Sequence, residues 1–251
     1  MNSSAKQDSS LQNLSDEELI SQYHNNLQQI STSTKERKIY DFYPDEGPLR
    51  RELYTKHLEF FAAGVEHRER CMLAANRVGK TEGVGGFELT LHLTGLYPDW
   101  WKGRRFAHPV SAWAAGDTSQ TVRDIIQTKL LGEYGQFGTG LIPGVQLLST
   151  TNKAGSVAES VEGIKVRHSS GGVSRCTLKS YDQKRKSFQG TEQDIIWLDE
   201  EPPMDIYTEC LLRTMGVDSR GAGMVMCTFT PLLGLSEVVL SYLPGGRVVT
   251  D

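Results

Sequence analysis

The segment Ala74-Ala75-Asn76-Arg77-Val78-Gly79-Lys80-Thr81 constrains this chain more than any other stretch. It matches a phosphate-gripping loop at seven of eight places and lies between an apolar strand candidate and a helix candidate. Such a loop works because successive backbone N–H groups point into a concavity that fits the β-phosphate, while the helix behind it adds a partially positive N-terminus. Ala75, Asn76, Arg77, Val78 and Gly79 would form the cup. Lys80 is expected to reach the β- and γ-phosphates, and Thr81 to offer its hydroxyl to Mg²⁺. Ala74 stands where a first glycine is usual, which limits positive backbone angles there.

The flanks agree with this reading. Cys71-Met72-Leu73-Ala74-Ala75 is an apolar run of strand length, and Val84, Phe87 and Leu91 recur at helical spacing beyond Thr81. Gly83, Gly85 and Gly86 fall inside that helix, where each costs roughly 1 kcal/mol against alanine if the helix stands open. Close packing of the helix on a sheet is the expected offset.

With 251 residues the chain can bury one sizeable core. A net charge of −4 argues against static nucleic-acid binding as its main task, although a motor that must keep releasing DNA is less constrained. The cysteines Cys71, Cys176, Cys210 and Cys227 show no Cys-x-x-Cys spacing and no matching histidines, so reduced thiols are expected rather than zinc or a disulfide framework. No stretch approaches the ~18 apolar residues of a membrane span, and the N-terminus lacks a secretory core. A soluble, cytoplasmic protein without membrane contact is the expectation.

Residues 1–42 read as a polar arm with one helix opening at the capping box Ser15-Asp16-Glu17-Glu18. The compact domain is placed at 43–251. Within it the pattern predicts a helix around 49–63, the strand at 70–75, the loop and its helix to about 95, a strand over 110–115 and a helix over 118–131. The glycine-containing stretch 132–162 reads as an extended excursion. A hairpin follows, with strands around 164–167 and 176–179, then two buried strands at 195–198 and 224–229. The final residues, 247–251, look like a strand cut short. Strands alternating with helices predict an α/β fold with a mostly parallel sheet flanked by helices.

The second half of a catalytic site is expected at Ile195-Ile196-Trp197-Leu198-Asp199-Glu200, an apolar strand ending in two carboxylates. Asp199 would hold Mg²⁺, and Glu200 would orient and deprotonate the attacking water. Thr228 and Thr230, at the end of a third apolar run, place hydroxyls where they can sense a γ-phosphate.

In this order, the loop with arginine before Val-Gly-Lys-Thr, the Asp-Glu strand end and the Thr-x-Thr-Pro segment resemble the ATPase domain of the large terminase subunit of tailed double-stranded DNA bacteriophages, over about residues 43 to 251. The resemblance implies a P-loop NTPase of the additional-strand, catalytic-glutamate type. It further implies an ATP- and Mg²⁺-dependent motor that drives double-stranded DNA into a procapsid through the portal. The small terminase subunit, and a homo-oligomeric ring on the portal, would be its partners in the host cytoplasm during assembly and not in the mature virion. Arg77 would contact the γ-phosphate, and Thr228-Phe229-Thr230 would be the coupling segment. An irregular first loop position is a habit of that family. The metal-dependent nuclease domain that follows in the family has no acidic cluster here, so no DNA cleavage is expected of this polypeptide.

The family's glutamine-bearing adenine motif is missing upstream of the loop, where Tyr54, Lys56 or His57 stand instead. Lys179, Lys184, Arg185 and Lys186 form a basic stretch before the acidic strand that either grips DNA phosphates or is a solvated face. Arg213 and Arg220 read either as surface ion-pair residues or as candidates for an arginine donated to a neighbouring subunit. A helicase-type translocase shares the loop, carboxylates and hydroxyl segment but normally carries an alanine after its Asp-Glu pair, whereas Glu201-Pro202 follows here. A P-loop kinase would not normally need the paired Asp199-Glu200 strand end or Thr228 and Thr230, and a protein whose nucleotide serves assembly alone is a further alternative that turnover separates.

Overall fold

The computed structural model describes residues 20–23, 38–152, 157–216, 221–232 and 234–243. The expected helix start at Ser15, Arg220 and the expected final strand at 247–251 lie outside the described residues. Residues 20–23 form a helical turn.

Seven strands form one sheet: β1 (Glu69–Leu73), β2 (Ser111–Gly116), β3 (Leu147–Asn152), β4 (Val161–Arg167), β5 (Val173–Ser180), β6 (Ile195–Asp199) and β7 (Met224–Phe229). Their spatial order is β1-β7-β6-β2-β5-β4-β3. The first five in that order run parallel, and β4 and β3 extend the sheet antiparallel. One strand, β7, therefore stands between the strand that feeds the loop and the strand that ends in carboxylates. This is the additional-strand arrangement.

The helices follow from the pattern of apolar positions. Helix α1 is Thr55–Ala63. Helix α2 covers 80–94, with a widened first part, Lys80–Gly86, continued by Phe87–Thr94. Helix α3 covers 119–131 and begins at a capping box closed by Thr118 and Thr121. Helices α4 (Met204–Arg213) and α5 (Glu237–Ser241) follow. Phe61, Val84, Phe87, Leu89, Leu130 and Trp197 belong to a core on one face of the sheet, while Ile196, Leu198, Ile206, Tyr207, Cys210 and Val239 belong to a core on the other. Alternate residues of β6 thus enter opposite cores, as strand periodicity requires, and all five are buried.

Two sequence expectations change. The excursion at 132–162 contains β3, an edge strand whose residues are mostly exposed, so Ser149, Thr150 and Thr151 leave no apolar alternation to read. Packing also begins before residue 43: Ile39 is buried in the core through a short 3₁₀ turn, Lys38–Asp41. The four cysteines are free. Among the described residues no helix is long and apolar enough to cross a membrane.

Candidate active site

Strand β1 delivers the loop and α2 receives it. Arg77 at φ 65° and Gly79 at φ 84° take left-handed backbone, and Gly79 accepts from Gly83 N–H at 2.8 Å and from Val84 N–H at 3.1 Å. The five-residue spacing of the second bond widens the first turn of α2. Ala75, Asn76, Arg77, Val78 and Gly79 are exposed at the lip, and Lys80 is buried. The Lys80 ammonium folds back to donate to Ala74 O at 2.9 Å, Ala75 O at 2.7 Å and Thr230 Oγ1 at 2.8 Å. Arg77 makes no side-chain bond among the described residues.

The strand end meets this loop directly. Thr81 Oγ1 lies 3.0 Å from Asp199 Oδ1 and 3.1 Å from Oδ2. Asp199 is 4 % exposed. Burial pushes its carboxyl up to about 7, against hydrogen bonds from Thr228 and Thr81 and the charge of Lys80. Glu200 turns out of the strand at φ 63° and is exposed. The buried Tyr181 hydroxyl is 3.0 Å from Asp199 O and 3.2 Å from Glu200 O, so it tethers the peptide units on either side of that left-handed residue.

The coupling hydroxyls part company. The sequence reading sets Thr228 and Thr230 alike beside the γ-phosphate. The structure buries Thr228, which donates to Asp199 Oδ1 at 2.8 Å, because the register pairs Asp199 with Thr228. Strand β7 ends at Phe229, and Thr230 lies beyond it within 2.9 Å of Ala74 O and 2.8 Å of Asn76 Oδ1.

A cavity of about 330 Å³ adjoins Gly79 and Gly83, lined also by Phe42, Tyr43, Leu49 and Tyr54 with His57 at its wall. Tyr43 OH reaches Gly83 O at 2.6 Å and His57 Nδ1 at 2.8 Å. Burial lowers the His57 pKa, opposed by a bond to the Val78 backbone, so the cavity is tied to the loop. Of the three adenine candidates, Tyr54 and His57 line this space. Lys56 does not: its ammonium bonds Glu59 at 2.7 Å on the exposed side of α1.

The basic stretch is partly committed elsewhere. Arg185 pairs with the buried Glu209 at 3.0 Å, and Lys179 lies over the rings of Trp113 and Phe188 and donates to Ser187 O. Lys184 and Lys186 remain exposed. Arg213 also pairs with Glu209, at 3.1 Å, and donates to Gly190 O at 2.7 Å, which leaves it occupied within its own chain.

Sequence reasoning passed over Trp197, Tyr181 and Tyr43. A tryptophan in a wholly buried strand does carry one legible signal, an indole N–H that must find an acceptor. The two tyrosines carry none, since their roles come from chain segments far apart in sequence.

Could a divalent cation fit between loop and strand? Thr81 and Asp199 converge as hard oxygen donors, and Asp199 is a nearly buried carboxylate with no salt bridge among the described residues. One carboxylate and one hydroxyl, completed by water and phosphate oxygens, suit magnesium.

Fold, loop and strand-end carboxylates together define a P-loop NTPase fold with one additional strand between the loop strand and the carboxylate strand. The family model for the N-terminal part of the T4-like-virus-type large terminase subunit matches residues 71–245, and the chain belongs to that family. It is 35% identical to the large terminase subunit of Salmonella phage P22, an alignment that covers 94% of this chain and 48% of that one. The chain thus spans about half the length of the curated relative it matches. Among solved structures it is similar to the large terminase ATPase domain of Thermus phage P74-26, at 17% identity and a TM-score of 0.44, over 72% of this chain and 70% of that one. It is also similar to the large terminase of a thermophilic bacteriophage in complex with ADP, at 13% identity and a TM-score of 0.40, over 78% of this chain and 38% of that one.

Proposed function

We propose that this chain is the ATP-hydrolysing motor domain of a viral DNA-packaging terminase, driving double-stranded DNA into a procapsid. The observation that carries this reading is the direct bond between Thr81 at the loop and Asp199 at the strand end. Residues before Lys38 act as an arm, and the ATPase domain expected at 43–251 also takes in the packed turn Lys38–Asp41. Portal, small terminase subunit and neighbouring copies in a ring are its partners in the host cytoplasm.

Each residue has a distinct task. Backbone N–H groups of 75–79 line the phosphate cup, and the Lys80 ammonium leaves its carbonyls for the β- and γ-phosphates. Thr81 and Asp199 hold magnesium, which when bound neutralises phosphate charge. Glu200, on the exposed side of the strand end, orients the attacking water and takes its proton. Arg77 stabilises charge developing on the γ-phosphate. The cavity beside Tyr54 and His57 takes the adenine.

Coupling follows from the Lys80–Thr230 bond of 2.8 Å. As Lys80 moves to the phosphates it releases Thr230, which remains bonded to the loop through Ala74 or Asn76. Nucleotide state is thereby passed to the segment after β7.

ATP hydrolysis and binding by the chain, by Lys80→Ala and by Glu200→Gln test the proposal. Hydrolysis is lost in both variants, with ATP still bound by Glu200→Gln. Full turnover in either variant removes the motor reading.

A further inference from the structure

We propose that Trp197 is a positioning residue for the magnesium-holding carboxylate: its indole N–H fixes the Thr228 hydroxyl so that the hydroxyl donates its hydrogen bond to Asp199. The inference rests on the reading of Asp199 as that carboxylate. Trp197 Nε1 lies 2.7 Å from Thr228 Oγ1, which lies 2.8 Å from Asp199 Oδ1. An indole can only donate, and a carboxylate that holds magnesium is ionised and can only accept. The hydroxyl between them therefore has one orientation open to it. Thr81 supplies a second bond to the same carboxylate from α2, so the group is held from the sheet and from the loop helix at once.

The indole itself has no room to turn. Trp197 and Thr228 are 0% and 1% exposed. A Cβ built on Gly85 would stand 2.6 Å from Trp197 Cζ2 and nearer still to Nε1 and Cε2. Helix α2 lies against the indole because residue 85 has no side chain, and this accounts for a glycine that would otherwise weaken a helix. Trp197 precedes Asp199 by two residues, so both side chains leave the same face of β6. The ring keys the helix bearing Lys80 and Thr81 to the strand bearing Asp199, and its N–H sets the hydroxyl between them.

Packing alone could explain a buried indole ring. It does not explain the N–H, so the test removes that group and keeps the shape. Trp197 is replaced in the 251-residue chain by 3-benzothienylalanine, in which sulfur stands for N–H, and in parallel by Phe. Both are combined with Thr228→Val. The primary reading is the gain in ATP affinity on adding magnesium, measured by equilibrium binding, with melting temperature and magnesium-free ATP binding alongside.

Partners that orient metal ligands typically matter ~10 to 100-fold in metal affinity, and a loss of about tenfold in magnesium affinity is expected for the isostere. Its melting temperature and magnesium-free binding should stay at wild-type values. Because Trp197 acts through Thr228, the double variant should be no worse than Thr228→Val alone, and Thr228→Ser should restore the magnesium dependence that Thr228→Val loses. Wild-type magnesium affinity in the isostere, additive losses in the double variant, or unfolding of the isostere would each overturn the proposal, the last because the N–H would then serve the fold rather than Asp199. Absence of any magnesium-dependent ATP binding by the wild-type chain would instead count against the reading of the whole site.

Discussion

Thr81 and Asp199, 118 residues apart, share a hydrogen bond of 3.0 Å, and that contact joins the two halves of the candidate site. The carboxylate it reaches is almost fully buried and has no salt bridge among the described residues. Charge kept from water without such a partner weighs on the fold until a cation offsets it. Asp199→Asn should therefore raise the stability of the magnesium-free protein, by on the order of 1 kcal/mol, while abolishing hydrolysis. Calorimetry in chelator with a parallel ATPase assay checks both, and a lower melting temperature would contradict the expectation.

Arg77 is exposed, sits at φ 65° and bonds nothing among the described residues. Its replacement by Ala should leave stability within about 0.5 kcal/mol. Turnover should fall by about 10³ if the guanidinium serves the γ-phosphate. Equal loss of turnover and of folded protein would point to a structural role instead.

Tyr54 lines the cavity beside Gly79, whereas Lys56 is paired with Glu59 outside it. Tyr54→Ala is expected to raise the KM for ATP by about five- to a hundredfold, on the order of the 1–3 kcal/mol carried by one base-stacking ring, and to leave hydrolysis of inorganic tripolyphosphate unchanged. Lys56→Ala should match the wild type with both substrates. Steady-state kinetics with the two substrates separates base recognition from phosphate chemistry.

Glu200 holds a left-handed backbone that a residue with a Cβ adopts at a cost of about 1 kcal/mol or more. Glu200→Gly should recover stability of that order in chemical denaturation and lose hydrolysis. A destabilised glycine variant would show that the glutamate side chain, not the backbone, dominates at this position.

The buried trio Arg70, Glu88 and His92 sets an acid limit. Burial first, and the charges of Arg70 and Arg104 next, lower the His92 pKa against the pull of Glu88; burial would raise Glu88, but Arg70 and His92 bring it below its ordinary value. Both shifts mean that the unfolded chain binds more protons than the folded one, so stability rises with pH across each window. The contribution of this trio is full above about 6.5 and falls first as His92 is drawn toward protonation below that value, then further below about 4.5 as Glu88 is, while the raised Asp199 carboxyl acts in the opposite sense and gives up its contribution as pH rises toward 7. His92→Gln should flatten the first decline in denaturation midpoints between pH 7.5 and 5. His57 and His168, also lowered by burial, leave a smaller slope behind.

Much of this was legible in the chain. Lys80, Thr81 and Asp199 stand at one place as the sequence reading expects, because side chains suited to phosphate and magnesium at the ends of apolar runs single them out, and β6 and β7 were legible because buried parallel strands read as continuous apolar stretches. The edge strand β3 escaped because an exposed strand need not alternate. The commitment of Arg185 and Arg213 to Glu209 escaped because an ion-pair partner is chosen by tertiary proximity, which a charge count cannot supply.

Sequence alone determined the loop, the strand-end carboxylates and the layered α/β order, since local spacing and side-chain chemistry specify these. Only the tertiary structure decided that Thr228 belongs under Asp199 while Thr230 faces the loop, that Trp197 lies against Gly85, and that Tyr181 holds the turn at Glu200. Those roles depend on strand register and on the clearance between helix and sheet. Both are settled when distant segments pack together, and neither is written in any local run of residues.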